Sequence, residues 1–362
     1  MKKRTKMKYF KSTAALLVLS LSLCLTGQAQ EAKRSIQKNF PLTSNGKLSI
    51  DNRYGSVKLS PWNKQEVQLV VNIKVDAGKL DRSEEVLEEI EIEIDATPNA
   101  ISAVTHIGDQ NRNWWSNWGI FRGGNINYSI DYVVQLPQSA SMDIKNAYGD
   151  IFIDVTDGPA VLDCSYGNIE VGELNHPDND IDIRYAPNSH IDFIQGGKLM
   201  ADYSGLTIHK AGKLSYDADY SKSEFDEIEQ LDFEADYGRL TVGKVGALRG
   251  DADYLSIKIG QVRKILKINM DYGGIQVRNI QPTTESVRLT TDYTGVTLEA
   301  DPNWEFQFEV ETEYANFKSD FPLDYRKKVI ESTDRYYSGT HLSDKNSLSI
   351  SADYGSVKLY KH

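Results

Sequence analysis

Apolar and polar positions alternate with period two through most of this chain, and the alternation breaks and restarts at tyrosine. Before Tyr237, Leu231, Phe233 and Ala235 alternate with Asp232, Glu234 and Asp236; after it, Leu240 and Val242 alternate with Arg239 and Thr241. This pattern predicts two short, half-buried strands. The step from Ala235 to Leu240 is five residues. That odd number moves the inward face to the other parity, so the Asp-Tyr-Gly segment is expected to bend or bulge. Glycine follows the tyrosine in six units (Gly55, Gly149, Gly167, Gly238, Gly273 and Gly355), which suits a tight corner. Leu255 and Ala315 hold the same place, so a left-handed backbone is not compulsory there.

The unit recurs along the chain. Its tyrosines are Tyr54, Tyr148, Tyr166, Tyr185, Tyr203, Tyr220, Tyr237, Tyr254, Tyr272, Tyr293, Tyr314 and Tyr354, in contexts such as CSYGNIEV, ADYGRLTV and MDYGGIQV. From Tyr148 to Tyr314 the spacings are 18, 19, 18, 17, 17, 17, 18, 21 and 21. A unit this short cannot bury its apolar face alone, so units must stack. The predicted fold is all-β: a parallel β-solenoid, one turn per 17 to 18 residues, with successive tyrosines about 4.8 Å apart. Consecutive turns are expected from Tyr148 through Tyr314. An antiparallel outer-membrane barrel needs strands of about 9–11 residues, longer than these runs.

The flanks differ from the middle. Residues 30–147 break the period and read as an N-terminal β-rich capping region. Its expected strands are at 67–75, 90–94, 101–107 and 126–136, with a short helix over 81–89 capped by Asp81 or Ser83. Repeats occupy 148–314, and 315–362 holds an insertion and a final turn. LSIDNRYGSVKLS (Leu48 to Ser60) and LSISADYGSVKLY (Leu348 to Tyr360) match at nine of thirteen positions. Residues 1–29 read as a signal peptide: a basic start, the apolar run Ala14 to Leu25, then Gly27 and Ala29 before a cut at Gln30. Lipid anchoring at Cys24 is the lesser alternative, because Leu23 is bulkier than the small residue that should precede a lipidated cysteine. The reading is therefore export to the periplasm, outer surface or extracellular space. Losing the six cations among the first eleven residues takes the net charge from −11 to −17. A body this acidic repels phosphate backbones, which argues against a nucleic-acid partner. Only Cys164 then remains, so no internal disulfide is expected.

The signal-like start, the segment Val133-Val134-Gln135-Leu136-Pro137 and the repeated tyrosine-glycine units together resemble the bacterial adhesin-like families. These include the head GIN domain type and related β-repeat domains of unknown function. The resemblance covers roughly residues 45–360 and implies an exported, right-handed β-helix-like fold without assigned catalytic residues.

Three constellations are candidates for chemistry. The tyrosine ladder reads first as structural, with hydroxyls toward water; the functional alternative is an aromatic strip that binds sugar rings. The carboxylates before the tyrosines (Asp202, Asp219, Asp236, Asp253, Asp271, Asp292 and Asp353) form a self-repelling column. They read as solvated or hydrogen-bonded corner residues rather than a cation site. The segment from Gly108 to Arg122 gathers Trp114, Trp115 and Trp118 with Arg112 and Arg122. It reads either as a hydrophobic plug or as a recognition loop for a glycan or surface protein. The histidines (His106, His176, His190, His209, His341 and His362) show no metal-ligand spacing in the linear sequence, so neither metal nor cofactor is expected. Nucleophile-elbow, phosphate-loop and zinc-helix motifs are missing from the sequence. The function predicted is a non-enzymatic adhesin-like binding or scaffold module at the cell envelope. The alternative is a carbohydrate-active β-helix enzyme, a polysaccharide lyase or hydrolase using paired carboxylates.

Overall fold

The computed structural model describes residues 31–108 and 126–362. The signal-peptide segment with Cys24, and the tryptophan segment with Arg112, Trp114, Trp115, Trp118 and Arg122, lie outside the described residues. Two compact units are present. The smaller one draws on residues 31–34, 73–90, 107–108 and 126–128, and the larger on 35–72, 91–106 and 129–362.

The smaller unit holds the helix Leu80–Glu88. The expected caps are corrected here. The N-cap is Lys79, which makes no side-chain capping bond, and Ser83 sits inside the first turn. Its hydroxyl donates to the Lys79 carbonyl and accepts from the Ala77 amide, both at 2.9 Å. The serine thus ties the helix to the preceding chain and does not start it.

In the larger unit the strands before each tyrosine pair in parallel, one turn apart. The register Ile144↔Leu162↔Ile181↔Leu199↔Tyr216↔Phe233 forms a fully inward column. Nearer the corner runs a narrower column: Asn52, Asn146, Cys164, Ile183, Ala201, Ala218 and Ala235. The two buried asparagines are satisfied. Asn52 donates to the Ile130 carbonyl (3.0 Å) and to Asn146 (3.1 Å), and Asn146 donates to the Gly55 carbonyl (2.9 Å). The inward residues of one turn are Ser223, Phe225, Ile228, Leu231, Phe233 and Ala235, so the parity changes twice more beyond the tyrosine corner. Parallel pairing in single file makes this an open solenoid and not a closed barrel.

At the corner, the left-handed residue is the tyrosine itself. All twelve ladder tyrosines have φ between 48° and 61°. A bulky residue in this region costs about 1–2 kcal/mol relative to ordinary backbone. The glycine after it is not left-handed but close-packed. A Cβ on Gly167 would lie 2.1 Å from the Gly149 carbonyl oxygen, and one on Gly238 2.0 Å from that of Ser221.

Chain order and spatial order part company at both ends. Residues 47–62 do not lie outside the stack. Leu48 pairs with Met142 on one side and Ile101 on the other, and Leu59 with Ile153 and Val134. Likewise the last turn, strands Asn346–Asp353 and Val357–Lys361, enters between the turns of Tyr293 and Tyr314. Ile350 pairs with Leu289 and with Val310. The expectation of consecutive turns therefore holds through Tyr293 and fails at Tyr314. Insertion pairs both edges of the last turn, whereas stacking it at the end would leave one edge open. The end is covered instead by antiparallel strands Asp334–His341 and Asp324–Glu331. The outer strand is almost wholly exposed and carries Arg326, Lys327 and Lys328, charges that discourage edge-to-edge association. Beneath them Trp304 is fully buried, stacked on Phe306 at 4.4 Å, with its indole N–H donated to the Thr284 carbonyl at 2.8 Å.

Candidate functional site

The outward surface is organised by the ladder. Each corner carries its tyrosine in the left-handed region, which turns the ring out of the strand face, and parallel register sets the rings in file. Centroids of neighbouring rings lie 4.7–5.2 Å apart and their planes 3–11° apart. The file runs Tyr54, Tyr148, Tyr166, Tyr185, Tyr203, Tyr220, Tyr237, Tyr254, Tyr272, Tyr293, Tyr354 and Tyr314, with Tyr354 between Tyr293 and Tyr314. Each ladder tyrosine remains 40–55% exposed. Interior rings present edges and hydroxyls, because their faces are taken by their neighbours; sugar rings cannot stack face-on within the file. Partial desolvation in the stack, and then repulsion between neighbouring phenolates, pushes the Tyr203, Tyr237, Tyr272 and Tyr354 phenols above their usual range.

The carboxylates beside the ladder stand in the predicted column. Their backbones are engaged: the Tyr203 and Tyr220 amides donate to the Asp219 and Asp236 carbonyls at 2.9 Å. Desolvation, then Asp202 and Asp236, raises the Asp219 carboxyl; desolvation, then Asp253 and Asp292, raises that of Asp271. Cys164 points inward and is fully buried, and desolvation pushes its thiol up to about 12.

Beside the ladder a groove of about 680 Å³ crosses several turns. Tyr203, Tyr220, His190, Lys222, Glu224 and Arg239 line it. It offers hydroxyls and cationic donors, with Glu224 the one carboxylate among its lining residues. A smaller groove of about 270 Å³ near the far end gathers Glu311, Glu313, Glu331, Asp334 and Asp353 around Arg335. Neither groove is legible in the linear pattern, because each gathers residues from several turns.

Folding also joins histidines that looked scattered. His190, Asp192 and His209 place one ligand atom each within 4.8 Å of one another. A separation of 19 residues is close to one turn, so linear spacing concealed the pair.

The Toastrack DUF4097 family model matches residues 31–360. The chain belongs to the Toastrack family. No functionally curated protein is recognisably similar to it in sequence. Among solved structures, this Toastrack chain is similar to a "putative cell adhesion protein" from Clostridium sporogenes: 12% identity over 91% of this chain and 100% of that one, TM-score 0.20. A "putative adhesin" from Bacteroides fragilis gives 10% identity, 91% and 98% coverage, and TM-score 0.30. A "Putative lipid binding protein" from Parabacteroides distasonis gives 9%, 91% and 97%, and 0.28. Likeness at this level speaks to neither ligand nor activity. Among the described residues no helix is long and apolar enough to cross a membrane.

Proposed function

We propose that this Toastrack protein is an exported, non-enzymatic binding module of the cell envelope, which holds an extended, hydroxyl-rich polymer such as a glycan along the tyrosine ladder and its groove. One observation carries the reading: twelve exposed tyrosines sit in a strained backbone region. Strain of this kind persists where the surrounding structure over-determines it, and it clusters at functional sites. A purely structural corner would be met more cheaply by glycine or asparagine. The ligand lies across ring edges, takes hydrogen bonds from the row of hydroxyls, and meets Lys222 and Arg239 in the groove. The tryptophan segment, with Trp114, Trp115, Trp118, Arg112 and Arg122, is a second recognition element in this proposal. The signal-like first 29 residues support export.

Glycan-array binding by the purified protein from residue 30 onward tests it. Binding is expected, and Tyr203→Ala with Tyr220→Ala, or Arg239→Ala, weakens it at least tenfold without loss of fold. The triple replacement of Trp114, Trp115 and Trp118 by Ala weakens it as well. Full binding by the folded ladder variants refutes the ladder as the site.

The enzymatic alternative needs two carboxylates facing across a groove. The larger groove has only Glu224, so the smaller, carboxylate-rich one is where such an activity resides. Polysaccharide cleavage abolished by Glu313→Gln or Glu331→Gln favours that reading over the first.

A further inference from the structure

The cluster at His190, Asp192 and His209 lies on the outward side of the solenoid, near the start of strand Ser189–Asp202 and in the first half of strand Gly205–Asp219. Asp192 and His209 stand opposite each other on adjacent parallel strands, between the register pairs Ile191↔Ile208 and Phe193↔Lys210. Asp226 stands one turn further on, between Ile208↔Phe225 and Lys210↔Glu227. His190 Nε2 is 2.8 Å from Asp192 Oδ1, and His209 Nε2 is 4.0 Å from the same oxygen. The two imidazoles are 4.5 Å apart at 75°. His209 Nδ1 lies 2.7 Å from Asp226 Oδ2.

That last contact decides the chemistry. With Nδ1–H donated to Asp226, the lone pair of His209 is on Nε2, the atom that faces Asp192. A carboxylate holding the far nitrogen of a ligating histidine is the usual outer-shell partner at metal sites, where it fixes both tautomer and ring orientation. A tetrahedral ion bonded at about 2.0–2.1 Å sets its ligand atoms about 3.3 Å apart. His190 and Asp192 are already closer than this. Closing His209 by less than 1 Å toward Asp192 suffices on that side, and its side chain is half exposed. Two imidazole nitrogens and one carboxylate oxygen suit zinc, copper or nickel rather than calcium or magnesium.

We propose that His190, Asp192 and His209 form a three-ligand surface site for a zinc-class divalent ion, with Asp226 as the positioning residue for His209. The remaining coordination position is left to solvent, and His190 also lines the groove. The site stands independently of any polymer bound there.

The test uses untagged, chelator-treated protein from residue 30 onward, titrated with ZnCl₂ by calorimetry. One equivalent binds. His190→Ala or His209→Ala lowers the affinity at least tenfold, and Asp226→Asn by about 10–100-fold, as loss of an outer-shell partner does. Cu²⁺ electron paramagnetic resonance of the native protein shows two coupled imidazole nitrogens, and one in either histidine variant. These side chains are outward, so the folds of the variants are checked by unchanged melting in chelator. The proposal is overturned if no stoichiometric zinc binding occurs, or if binding survives in the His190→Ala/His209→Ala double variant.

Discussion

The middle of the stack and its two ends are built from the same unit by different rules. From Tyr148 to Tyr293 each turn lies on the turn before it in sequence. At the ends, residues 47–62 and 346–361 are each pushed between two turns that follow one another in the chain. These inserted segments are the two whose sequences echo each other. In the middle, local spacing dictates neighbours. At the ends, the edge-strand problem does: a turn placed inside has both backbone edges paired, and beyond the turn of Tyr314 the exposed edge is left to charged antiparallel strands.

The largest effect should come from breaking one end. Deleting residues 344–362 removes Leu348, Ile350, Val357 and Leu359, all buried, and each contributes about 1.5–3 kcal/mol. That sum rivals the whole stability of a typical domain, so the truncated chain is expected to lose cooperative unfolding by calorimetry. Next come the corner glycines. Gly167→Ala in the middle and Gly355→Ala at the end each drive a Cβ to 2.0–2.1 Å from a carbonyl oxygen, and each should destabilise by at least about 1–3 kcal/mol. Gly295→Ala meets nothing within 4 Å and should be nearly silent in chemical denaturation. Equal losses at Gly167 and Gly355 would show that middle and end share one corner.

The ladder gives a smaller contrast. Tyr237→Ala loses two stacked neighbours and should cost about 1–3 kcal/mol; Tyr314→Ala, with one stacked partner, should cost about half. Tyr237→Gly removes the backbone strain and should be less damaging than Ala by about 1 kcal/mol. The smallest effect is electrostatic. The Asp219 carboxyl is raised in the folded state. Its contribution to stability is therefore full below the unfolded value of about 3.9 and lost as pH rises through the folded one. Asp219→Asn should raise the melting temperature at pH 7 and change it little at pH 3.

Much of this was legible in the sequence. Period-two alternation, constant tyrosine spacing and the parity change at Asp-Tyr-Gly were enough for strands, stacking and the bend. The identity of the left-handed residue is not legible, since glycine is the usual occupant of that region and a bulky tyrosine is strained in it. Insertion of the final turn was hidden because its apolar pattern fits any level of the stack and carries no address. The aromatic cap around Trp304 is not legible, because one tryptophan beside Phe306 looks like any strand. The His190–His209 pair emerges only when sequence separation is counted in turns. The position of Cys164, two residues before Tyr166, points it inward, and it is fully buried. Native protein is accordingly expected to resist thiol reagents until it unfolds.

The most direct test of the stacking order is crosslinking at the last turn. Lys358 is the register partner of both Thr297 and Lys318. Cysteine pairs Thr297→Cys/Lys358→Cys and Lys318→Cys/Lys358→Cys should each close efficiently with a short bis-thiol reagent. The pair Thr297→Cys/Lys318→Cys, two levels apart at about 9–10 Å, should not. Efficient closure of that third pair, with failure of the first two, would place the Tyr314 turn directly on the Tyr293 turn and contradict the inserted end.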